Sequence, residues 1–358
     1  MALDADHTRA LAEWLAPRLR ADGAVVVDDV SDLSVGFSAE TKSLRARWST
    51  PEGTHERRLV LRRESPDPAV YPQQAPGWDV EIDIQFRVMS ALTAGTAVPL
   101  APLVGYEPGA AALGAPFFVM GFVDGVVPLV TPSYAQEGFF ADATPDQRRR
   151  MIEHGVRVLA DLHGLDWKGH GLDWLLPPGQ VATAGRQVDI WRAYMERELA
   201  GRAHPLAAHA FEWLTASLPE HDPERVGLNW GDPRPGNMIW EDFRCVCVTD
   251  FEAAAIAPRA VDLGWWLMFD RWSHESAGIP RLDGEPTREE QAALYFRTAG
   301  LPPEPMHWYE VFAAVRYSAI VVRVMNRTVE RGLMPPDNTV WLENQATVCL
   351  TELMEAGP

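Results

Sequence analysis

Three polar residues that could perform phosphoryl transfer, Asp232, Asn237 and Asp250, lie close together in the sequence. Two prolines and a glycine between the first two exclude a helix there, so we predict that a loop carries Asp232. Residues 238–240 and 245–249 are largely apolar and are separated by a polar break. This pattern predicts a buried hairpin directly after the loop.

The predicted hairpin places a metal-binding pair at its open end. Counting inward equally from Asn237 and Asp250 meets at Phe243 and Arg244, which predicts that the first two residues face each other. Directly opposed residues have β-carbons about 4.5–5.5 Å apart, close enough to share one cation. An amide oxygen beside a carboxylate is a hard, oxygen-only site, which suits Mg²⁺ better than zinc.

The same residues have the spacing of a kinase catalytic loop. Such a loop places its catalytic base five residues before a metal-binding Asn, with a metal-binding Asp at a nearby strand end. The GDxRxGN form around Asp232, followed by DLGW at residues 262–265, resembles the aminoglycoside phosphotransferase family of kinase-like small-molecule kinases. The resemblance implies that Asp232 deprotonates a substrate hydroxyl, that Asn237 and Asp250 hold Mg²⁺, and that ATP is the phosphoryl donor.

The first third of the chain predicts an antiparallel sheet. An amphipathic helix over residues 7–21 precedes strands that begin near Val25. Residues 43–48 alternate between polar and apolar side chains with period two, which is typical of a strand. A third strand over residues 58–62 places Arg62 on the face opposite Leu59 and Leu61.

The resemblance assigns nucleotide-binding roles in this sheet. In kinases a glycine-rich turn between the first two strands covers the ATP phosphates, and a cation on the third strand holds them. The turn here contains Gly36, Ser38 and Thr41 but only one glycine, so its signal is weak. Arg62 occupies the position of the cation, and arginine can bind phosphate bidentately.

A predicted helix over residues 79–92 leaves one pairing open. Its family counterpart carries a Glu that pairs with the third-strand cation. Here Gln85 takes that position by alignment, and Glu81 lies one turn earlier. Either Gln85 replaces the ion pair with a neutral hydrogen bond or Glu81 pairs with Arg62.

Residues 116–122 predict a strand that resembles the hinge of the family. The resemblance implies that backbone groups around Met120 and Phe122 bind adenine. We therefore predict a nucleotide-binding domain of residues 1–122 and a helical domain of residues 123–358 with the catalytic loop and the acceptor site.

The predicted fold class is α/β of the α+β type, a two-lobed protein-kinase-like fold. It combines a small antiparallel-sheet N-lobe with a larger helical C-lobe. Thr144 and Pro145 predict the start of a helix that reaches about His163. Further helices are predicted over residues 186–200, 205–218, 258–272, 287–298, 305–331 and 339–353.

The pattern HGLDW occurs at residues 163–167 and again at residues 170–174. Two histidines and two aspartates could indicate a metal site. The first copy, however, resembles a helix-end segment of the family, so we predict a capping and packing role.

Two departures from the family pattern motivate a competing hypothesis. Trp230 stands where the family usually has a His that shapes the catalytic loop, and we predict that it packs without supplying the same hydrogen bonds. With Gln85, this suggests a nucleotide-binding pseudokinase or scaffold as the alternative class. No long activation loop separates Asp250 from Asp262, which argues against a protein kinase.

Composition limits the remaining possibilities. The chain has 358 residues, of which 47% are hydrophobic and 23% charged, as expected for a globular protein with two domains or lobes. Its 3 cysteines form no CxxC pair, which favours a reducing, cytoplasmic location. The net charge of −18 disfavours nucleic acid and anionic membranes as partners. The sequence contains no membrane-span signal and indicates no obligate protein partner.

The acceptor is a small molecule with a hydroxyl group, but indications of its type conflict. An acidic set in the helical part could attract a polycation: Asp262, Asp270, Glu275, Glu343 and Glu352. A tryptophan set could wall a sugar or an apolar acceptor: Trp265, Trp266, Trp272, Trp308 and Trp341. An arginine set on one helical face could instead favour an anionic acceptor such as a hydroxyacyl thioester: Arg316, Arg323, Arg327 and Arg331. The family resemblance favours an aminoglycoside-like acceptor, and a solvated or salt-bridged arginine face is the simpler interpretation.

Overall fold

The computed structural model describes residues 3–33, 39–78, 80–130 and 132–357. The helices in these residues are α1 (Ala5–Arg18), α2 (Glu81–Gly95), α3 (Pro145–His163), α4 (Ala184–Leu199), α5 (Pro205–Ala216), α6 (Ala260–Ser273), α7 (Arg288–Ala299), α8 (His307–Glu330) and α9 (Gln345–Ala356). The strands are β1 (Val26–Asp32), β2 (Glu40–Thr50), β3 (Gly53–Arg63), β4 (Leu103–Glu107), β5 (Phe117–Gly121), β6 (Val226–Asn229), β7 (Met238–Glu241), β8 (Arg244–Val248) and β9 (Ala255–Pro258). The chain divides into two compact units.

The first compact unit, here called the sheet unit, comprises the described parts of Met1–Ala69, Gly77–Ser90 and Leu100–Asp124. Its sheet has five antiparallel strands in the order β1-β2-β3-β5-β4. Leu59 and Leu61 pack with α1 in one apolar core, which follows from the period-two alternation of a strand.

The second compact unit, here called the helical unit, comprises the described parts of Val70–Pro76, Ala91–Pro99 and Gly125–Pro358. Its core lies around α8, which is buried along most of its length against α4, α5, α6 and α9. A helix that is covered on several sides needs apolar residues on several faces, which α8 has.

Local sequence signals account for the ends of several helices. Thr144 and Gln147 form a capping box at the start of α3, and Pro145 occupies its first turn. The same type of cap, formed by Thr287 and Glu290, begins α7. None of the helices formed by the described residues has the length and apolar character that a membrane span requires.

The antiparallel sheet unit and the larger helical unit confirm the predicted α+β organisation. The assignment of residues 1–122 to nucleotide binding and of residues 123–358 to catalysis and acceptor binding stays a prediction. The two compact units show where the chain divides, and what each unit binds is a separate question.

Candidate active site

The loop between β6 and β7, here called the catalytic loop after the role predicted for it, presents Asp232 in the helical unit. β6 pairs with β9, so the loop begins beside the segment that leads into β9. Gly231 adopts a left-handed conformation with φ +96°, and a β-carbon at this position would lie 2.2 Å from the carbonyl oxygen of Ala253. Only glycine combines this backbone conformation with this close approach. The local sequence therefore requires Gly231 directly before Asp232.

Asp262, at the start of α6, holds the backbone of this loop. Its carboxylate accepts hydrogen bonds from the amides of Trp230 at 2.5 Å and Gly231 at 3.0 Å. The Asp262 side chain is fully buried, and acidic groups are favourable in the first turn of a helix. The carboxylate thus satisfies two buried amide donors that would otherwise be costly to bury.

The buried side chain of His163 forms hydrogen bonds with both Asp262 and Tyr295. His163 Nε2 lies 3.2 Å from Asp262 Oδ2, and His163 Nδ1 lies 2.6 Å from the Tyr295 hydroxyl. Burial lowers the pKa of His163 below its ordinary value, in spite of the opposing effect of Asp262. A neutral His163 that donates from Nε2 and accepts at Nδ1 fits both partners. This agrees with the packing role predicted for the first HGLDW copy.

Trp230 corrects one expectation from the sequence. Its indole Nε1–H donates to the backbone carbonyls of Thr249, at 2.8 Å, and Asp250, at 2.9 Å. We expected Trp230 to pack without supplying the hydrogen bonds of the usual histidine, and its indole nevertheless forms two hydrogen bonds. The indole links the catalytic loop to the strand end that carries Asp250, so the loop is connected to that strand end without a histidine.

Four described side chains donate hydrogen bonds to the Asp232 carboxylate, which is buried and only 5% exposed. Oδ1 accepts from Trp265 Nε1 at 2.7 Å and from Arg234 Nε at 3.1 Å. Oδ2 accepts from Asn237 Nδ2 at 2.7 Å and from the Tyr71 hydroxyl at 3.2 Å. The contacts from Trp265, Arg234 and Asn237 fix the orientation of the carboxylate.

Sequence reasoning assigned no role at Asp232 to Arg234, Trp265 or Tyr71. Arg234 and Trp265 belong to the GDxRxGN and DLGW patterns, so those patterns could have indicated them. Tyr71 lies 161 positions before Asp232, and no local pattern connects the two. Its contact arises from the tertiary fold of the helical unit.

The two groups beside Asp232, Arg234 and Tyr71, have shifted pKa values. Burial tends to lower the pKa of Arg234, but the neighbouring Asp232 carboxylate outweighs it and raises that pKa. Burial, and then the charge of Asp232, raise the pKa of Tyr71 well above its ordinary value. Arg234 is therefore a permanent cation and Tyr71 a neutral hydroxyl.

The register of the β7–β8 hairpin differs from the predicted one. Met238 pairs with Val248, and Thr249 N donates to Asn237 O at 3.0 Å. Asn237 therefore lies opposite Thr249, and the prediction that it faces Asp250 directly was wrong. The tight turn is at Asp242 and Phe243, both with positive φ, and a bulge shifts the register beyond it.

Asp250 follows this strand end in a left-handed conformation, with φ +65°. A non-glycine residue in such a backbone conformation loses about 1–2 kcal/mol of stability, and such strain is often found at functional sites. Asn237 uses its side-chain NH₂ to donate to Asp232 O at 3.0 Å and to Asp232 Oδ2. The Oδ1 atom of Asn237 is thus the atom of this side chain that could bind a metal ion.

Arg316 on α8 also contacts the catalytic loop. Its Nη2 donates to the carbonyl of Gly231 at 2.9 Å, and its guanidinium lies over the rings of Trp191 and Trp265. Burial lowers its pKa to about 10, so the group remains charged at neutral pH. Trp265 thus contacts both Arg316 and Asp232.

The predicted arginine face of α8 is buried over most of its length. Arg316, Arg323 and Arg327 are between 2% and 8% exposed, and Arg323 pairs with Glu198 at 3.4 Å. The solvated alternative does not apply to these three residues. Their burial in the core removes them as a direct indication of an anionic acceptor.

The predicted nucleotide-binding residues of the sheet unit have mixed outcomes. Gly36 and Ser38 lie outside the described residues. Thr41 on β2 pairs with Arg62 on β3, near the end of both strands. Gln85 is buried on α2. Nucleotide binding by these residues stays a prediction.

The neighbours of Arg62 on β3 have structural roles. Arg63 donates to Glu40 at 2.5 Å and to the carbonyl of Leu113 at 2.9 Å. Glu81, the first residue of α2, is buried, and its backbone amide donates to Glu64 at 3.3 Å. The choice between Gln85 and Glu81 as the partner of Arg62 stays open.

The predicted hinge lies at the end of β5. Met120 pairs with Val60 on β3 and with Leu103 on β4. The amide of Phe122 donates to the carbonyl of Arg58 at 3.0 Å. An adenine contact at Phe122 would therefore use its carbonyl oxygen.

An apolar groove lies beside the catalytic loop within the helical unit. Leu129 and Val130 line one part of it, and Trp266 and Phe269 of α6 line another. Arg234 also lines the groove and lies 5.4 Å from the centre of the Phe269 ring. The groove thus reaches a residue that contacts Asp232.

The segment that forms one side of this groove is apolar and exposed. Val126, Val127, Leu129 and Val130 are each 44–50% exposed. Val126 is held by two hydrogen bonds with Trp240, at 2.9 and 2.8 Å. Clustered apolar exposure of this kind is typical of a binding surface.

The chain is similar to known phosphotransferases. The model of the phosphotransferase enzyme family APH matches residues 35–302. A crystal structure of a "putative aminoglycoside phosphotransferase" from Ralstonia eutropha JMP134 superposes with TM-score 0.69 and 23% identity, covering 97% of this chain and 95% of that one. The streptomycin-ATP-APH(2")-IIa ternary complex superposes with TM-score 0.54 and 13% identity, covering 98% and 99%.

A curated relative carries a different name. "Probable acyl-CoA dehydrogenase IBR3" from Arabidopsis thaliana is 24% identical over 295 residues. The match covers 77% of this chain but only 34% of the relative. The chain therefore spans about a third of the length of that protein.

The family match covers most of the chain, and the chain belongs to the phosphotransferase enzyme family. The structural neighbours confirm the predicted kinase-like fold. The roles of individual site residues stay predictions.

Replacement of Gly231 tests the geometry of the loop. Gly231→Ala is expected to destabilise the protein by about 1–2 kcal/mol through backbone strain and by about 1–3 kcal/mol more through overlap with Ala253. Gly201 has a similar φ of +87°, but no atom lies within 4 Å of the place a β-carbon would take, so Gly201→Ala is expected to show only the strain. Urea unfolding of both variants measures the difference. Equal losses would contradict the close approach to Ala253.

Proposed function

We propose that this protein transfers the γ-phosphoryl group of ATP to a hydroxyl group of a small molecule. The observation that carries the proposal is the Asp232 carboxylate, buried and held by Trp265, Arg234 and Asn237 in a loop fixed by Asp262. A carboxylate held in this way is suited to orienting a hydroxyl group. Membership of the phosphotransferase family supports the reaction type.

In the proposed reaction Asp232 accepts the proton of the acceptor hydroxyl while the acceptor oxygen bonds to the γ-phosphorus of ATP. The bond between this phosphorus and the β,γ-bridging oxygen breaks, and ADP leaves. Most of the rate gain in such a transfer comes from positioning and charge stabilisation. Arg234, a cation directly beside Asp232, can stabilise negative charge that develops during the transfer.

The residues at the hairpin end fit a magnesium ion. Asn237 has its amide nitrogen bound to Asp232, which leaves its oxygen for a cation, and Asp250 supplies a carboxylate. No group of three or more His, Cys, Asp or Glu side chains in the described ranges could hold a metal alone. Magnesium is commonly bound by one or two protein groups together with substrate phosphates. When bound, it would neutralise charge on the phosphates.

We assign nucleotide binding to the predicted residues of the sheet unit. Arg62 would clamp the phosphates, with Gln85 or Glu81 as its partner, and the backbone at Met120 and Phe122 would hold adenine. The ATP-containing complex among the structural neighbours supports the choice of nucleotide. Trp230 supplies a link to Asp250 that the pseudokinase alternative assumed to be missing, which favours an active enzyme.

Two observations bear on the acceptor. The streptomycin complex of a structural neighbour supports the predicted aminoglycoside-like acceptor. Several residues that were expected to attract a polycation are, however, already engaged: Asp262 holds the catalytic loop, Asp270 pairs with Arg281, and Glu275 pairs with Arg288. Paired or buried acids contribute little attraction for a cationic ligand.

The apolar groove favours a second acceptor class, a hydroxylated molecule with an apolar part. It lies beside Arg234 and is lined by Leu129, Val130 and Phe269. A hydroxyacyl thioester belongs to this class, and the relative named as an acyl-CoA dehydrogenase is consistent with it. We propose this class as the acceptor that the groove fits best.

Replacement of the carboxylates separates the two chemical roles. Asp232→Asn is expected to lower kcat about 10²–10⁴-fold, because a general base is lost, with Mg·ATP affinity within a few fold. Asp250→Asn is expected to reduce the gain in nucleotide affinity that Mg²⁺ provides. Calorimetry with and without Mg²⁺ measures this gain. Asp242→Asn, an exposed acid on the hairpin turn, is the control, and equal loss of ATP binding in Asp232→Asn would contradict its role.

Arg62 tests the proposed phosphate clamp. Arg62→Ala is expected to raise the KM for ATP about 10–100-fold, because hydrogen bonds to charged groups are lost. Arg62→Lys keeps the positive charge and is expected to raise the KM less. Arg57→Ala, which changes an exposed arginine on the opposite face of β3, should leave the kinetics unchanged. Steady-state kinetics at a saturating acceptor concentration measure the KM for ATP. An unchanged KM in Arg62→Ala would refute the assignment.

Acceptor selectivity tests the groove. Phosphorylation of a hydroxyacyl-CoA is expected to exceed that of kanamycin at two salt concentrations. Leu129→Asp is expected to raise the KM of the hydroxyacyl-CoA about tenfold, since a charge replaces an apolar contact, without changing the KM for ATP. Leu333→Asp, at a position 73% exposed, is the control. Kanamycin turnover that weakens as salt rises would instead support the aminoglycoside-like acceptor.

A further inference from the structure

Tyr71 contacts the proposed catalytic base with the same functional group as the acceptor. Its hydroxyl donates to Asp232 Oδ2 at 3.2 Å. An acceptor hydroxyl must reach this carboxylate in the same way, as a donor to one of its two oxygens. This inference rests on the proposed function.

The Asp232 carboxylate has few hydrogen-bond acceptor positions left for a further donor. An ionised carboxylate offers about four lone-pair sites. In the described part of the chain, Asp232 already accepts from four side chains, those of Trp265, Arg234, Asn237 and Tyr71. An incoming hydroxyl must therefore displace one of them.

Three of the four donors are held firmly. Trp265 and Asn237 are buried and donate at 2.7 Å. Arg234 forms a charge-assisted hydrogen bond and lines the groove from the same loop. Displacing any of these would leave a buried donor unsatisfied or separate two opposite charges.

Tyr71 is the exchangeable donor. Its 3.2 Å contact is longer than the usual 2.5–3.0 Å of a hydroxyl hydrogen bond, so the bond is weak. The residue lies outside the helices and strands and is only partly buried. A loop residue with a weak bond costs least to move.

The segment around Tyr71 is nevertheless anchored in the helical unit. The carbonyl of Val70 accepts from Tyr194, and Gln74 accepts from Arg186 and from Gln187. The backbone on both sides of Tyr71 is therefore held in place, so its side chain can move while the segment stays where it is.

We propose that the Tyr71 hydroxyl occupies the acceptor-hydroxyl position at Asp232 and is displaced by the acceptor. Without an acceptor, Tyr71 keeps water from this position. If the hydroxyl were absent, water would lose a proton to Asp232 and bond through oxygen to the γ-phosphorus of ATP, with release of ADP and inorganic phosphate. Tyr71 thereby favours transfer over hydrolysis.

The test is Tyr71→Phe, which keeps the ring and removes only the hydroxyl. Without acceptor, ATP hydrolysis is expected to rise about 3–10-fold, and the KM of a hydroxyacyl-CoA or kanamycin acceptor to fall by a similar factor, since one weak competing hydrogen bond is lost. The kcat for transfer is expected to stay within twofold of wild type, roughly the effect of a contact outside the chemical step.

The control is Tyr309→Phe. The Tyr309 hydroxyl also donates to a carboxylate, that of Glu304, at 3.2 Å, away from the catalytic loop. This variant is expected to leave both hydrolysis and transfer unchanged. Thermal unfolding of both variants checks that they fold alike.

The outcomes are distinct. A lower kcat with unchanged acceptor KM in Tyr71→Phe would show that Tyr71 orients Asp232, and would overturn the inference. Unchanged hydrolysis and unchanged KM would also overturn it, with the proposed function intact. No transfer by the wild-type protein to any acceptor would overturn the proposed function and this inference together.

Discussion

The contact on which the site depends is the pair of hydrogen bonds from the amides of Trp230 and Gly231 to the buried carboxylate of Asp262. The prolines and the glycine of this loop exclude a regular helix or strand, so its shape depends on individual hydrogen bonds. Asp262 supplies two acceptors from a helix terminus, and His163, which is itself hydrogen-bonded to Tyr295, holds that carboxylate in turn. The geometry of this loop is thereby set from within the core rather than by the loop itself.

The helical unit buries more positive charge than the acidic composition of the chain suggests. Arg316, Arg323 and Arg327 all lie inside, although a buried charge is costly unless it is compensated. Arg316 is compensated in part by a carbonyl of the catalytic loop and by two indole rings. The net charge of the chain therefore does not describe its interior, where a cation helps to hold the loop.

Many of the helices and strands could be predicted from hydrophobic periodicity and from the residues that mark helix ends. The alternation in β2, the capping box of α3 and the hairpin strands β7 and β8 are local features, and local features are visible in sequence. The turn lies at Asp242 and Phe243, one residue earlier than predicted, which alone would shift each pairing partner by about two positions. The bulge between Ile239 and Trp240 restores one of them, and neither feature has a clear signal in the sequence. A single inserted residue shifts every pair beyond it.

The surroundings of Asp232 were less accessible to sequence reasoning. The motif itself identified Asp232, Asn237 and Asp250, but Tyr71 and Arg316 reach the loop from distant parts of the chain. The hydrogen bonds of Trp230 were not predicted because their acceptors are backbone carbonyls 19 and 20 positions away, which the sequence does not identify. Side-chain donors at buried positions need a structure to locate their acceptors.

The contact between Arg316 and Gly231 also affects when the site can form during synthesis. The two residues are 85 positions apart, and Arg316 lies on α8, which leaves the ribosome well after the catalytic loop. A nascent chain that ends before α8 contains the whole motif but lacks the guanidinium that binds the carbonyl next to Asp232. Long-range contacts of this kind form late in folding. Completion of the catalytic loop is therefore coupled to the synthesis of α8, and a product truncated before that helix cannot assemble the full site.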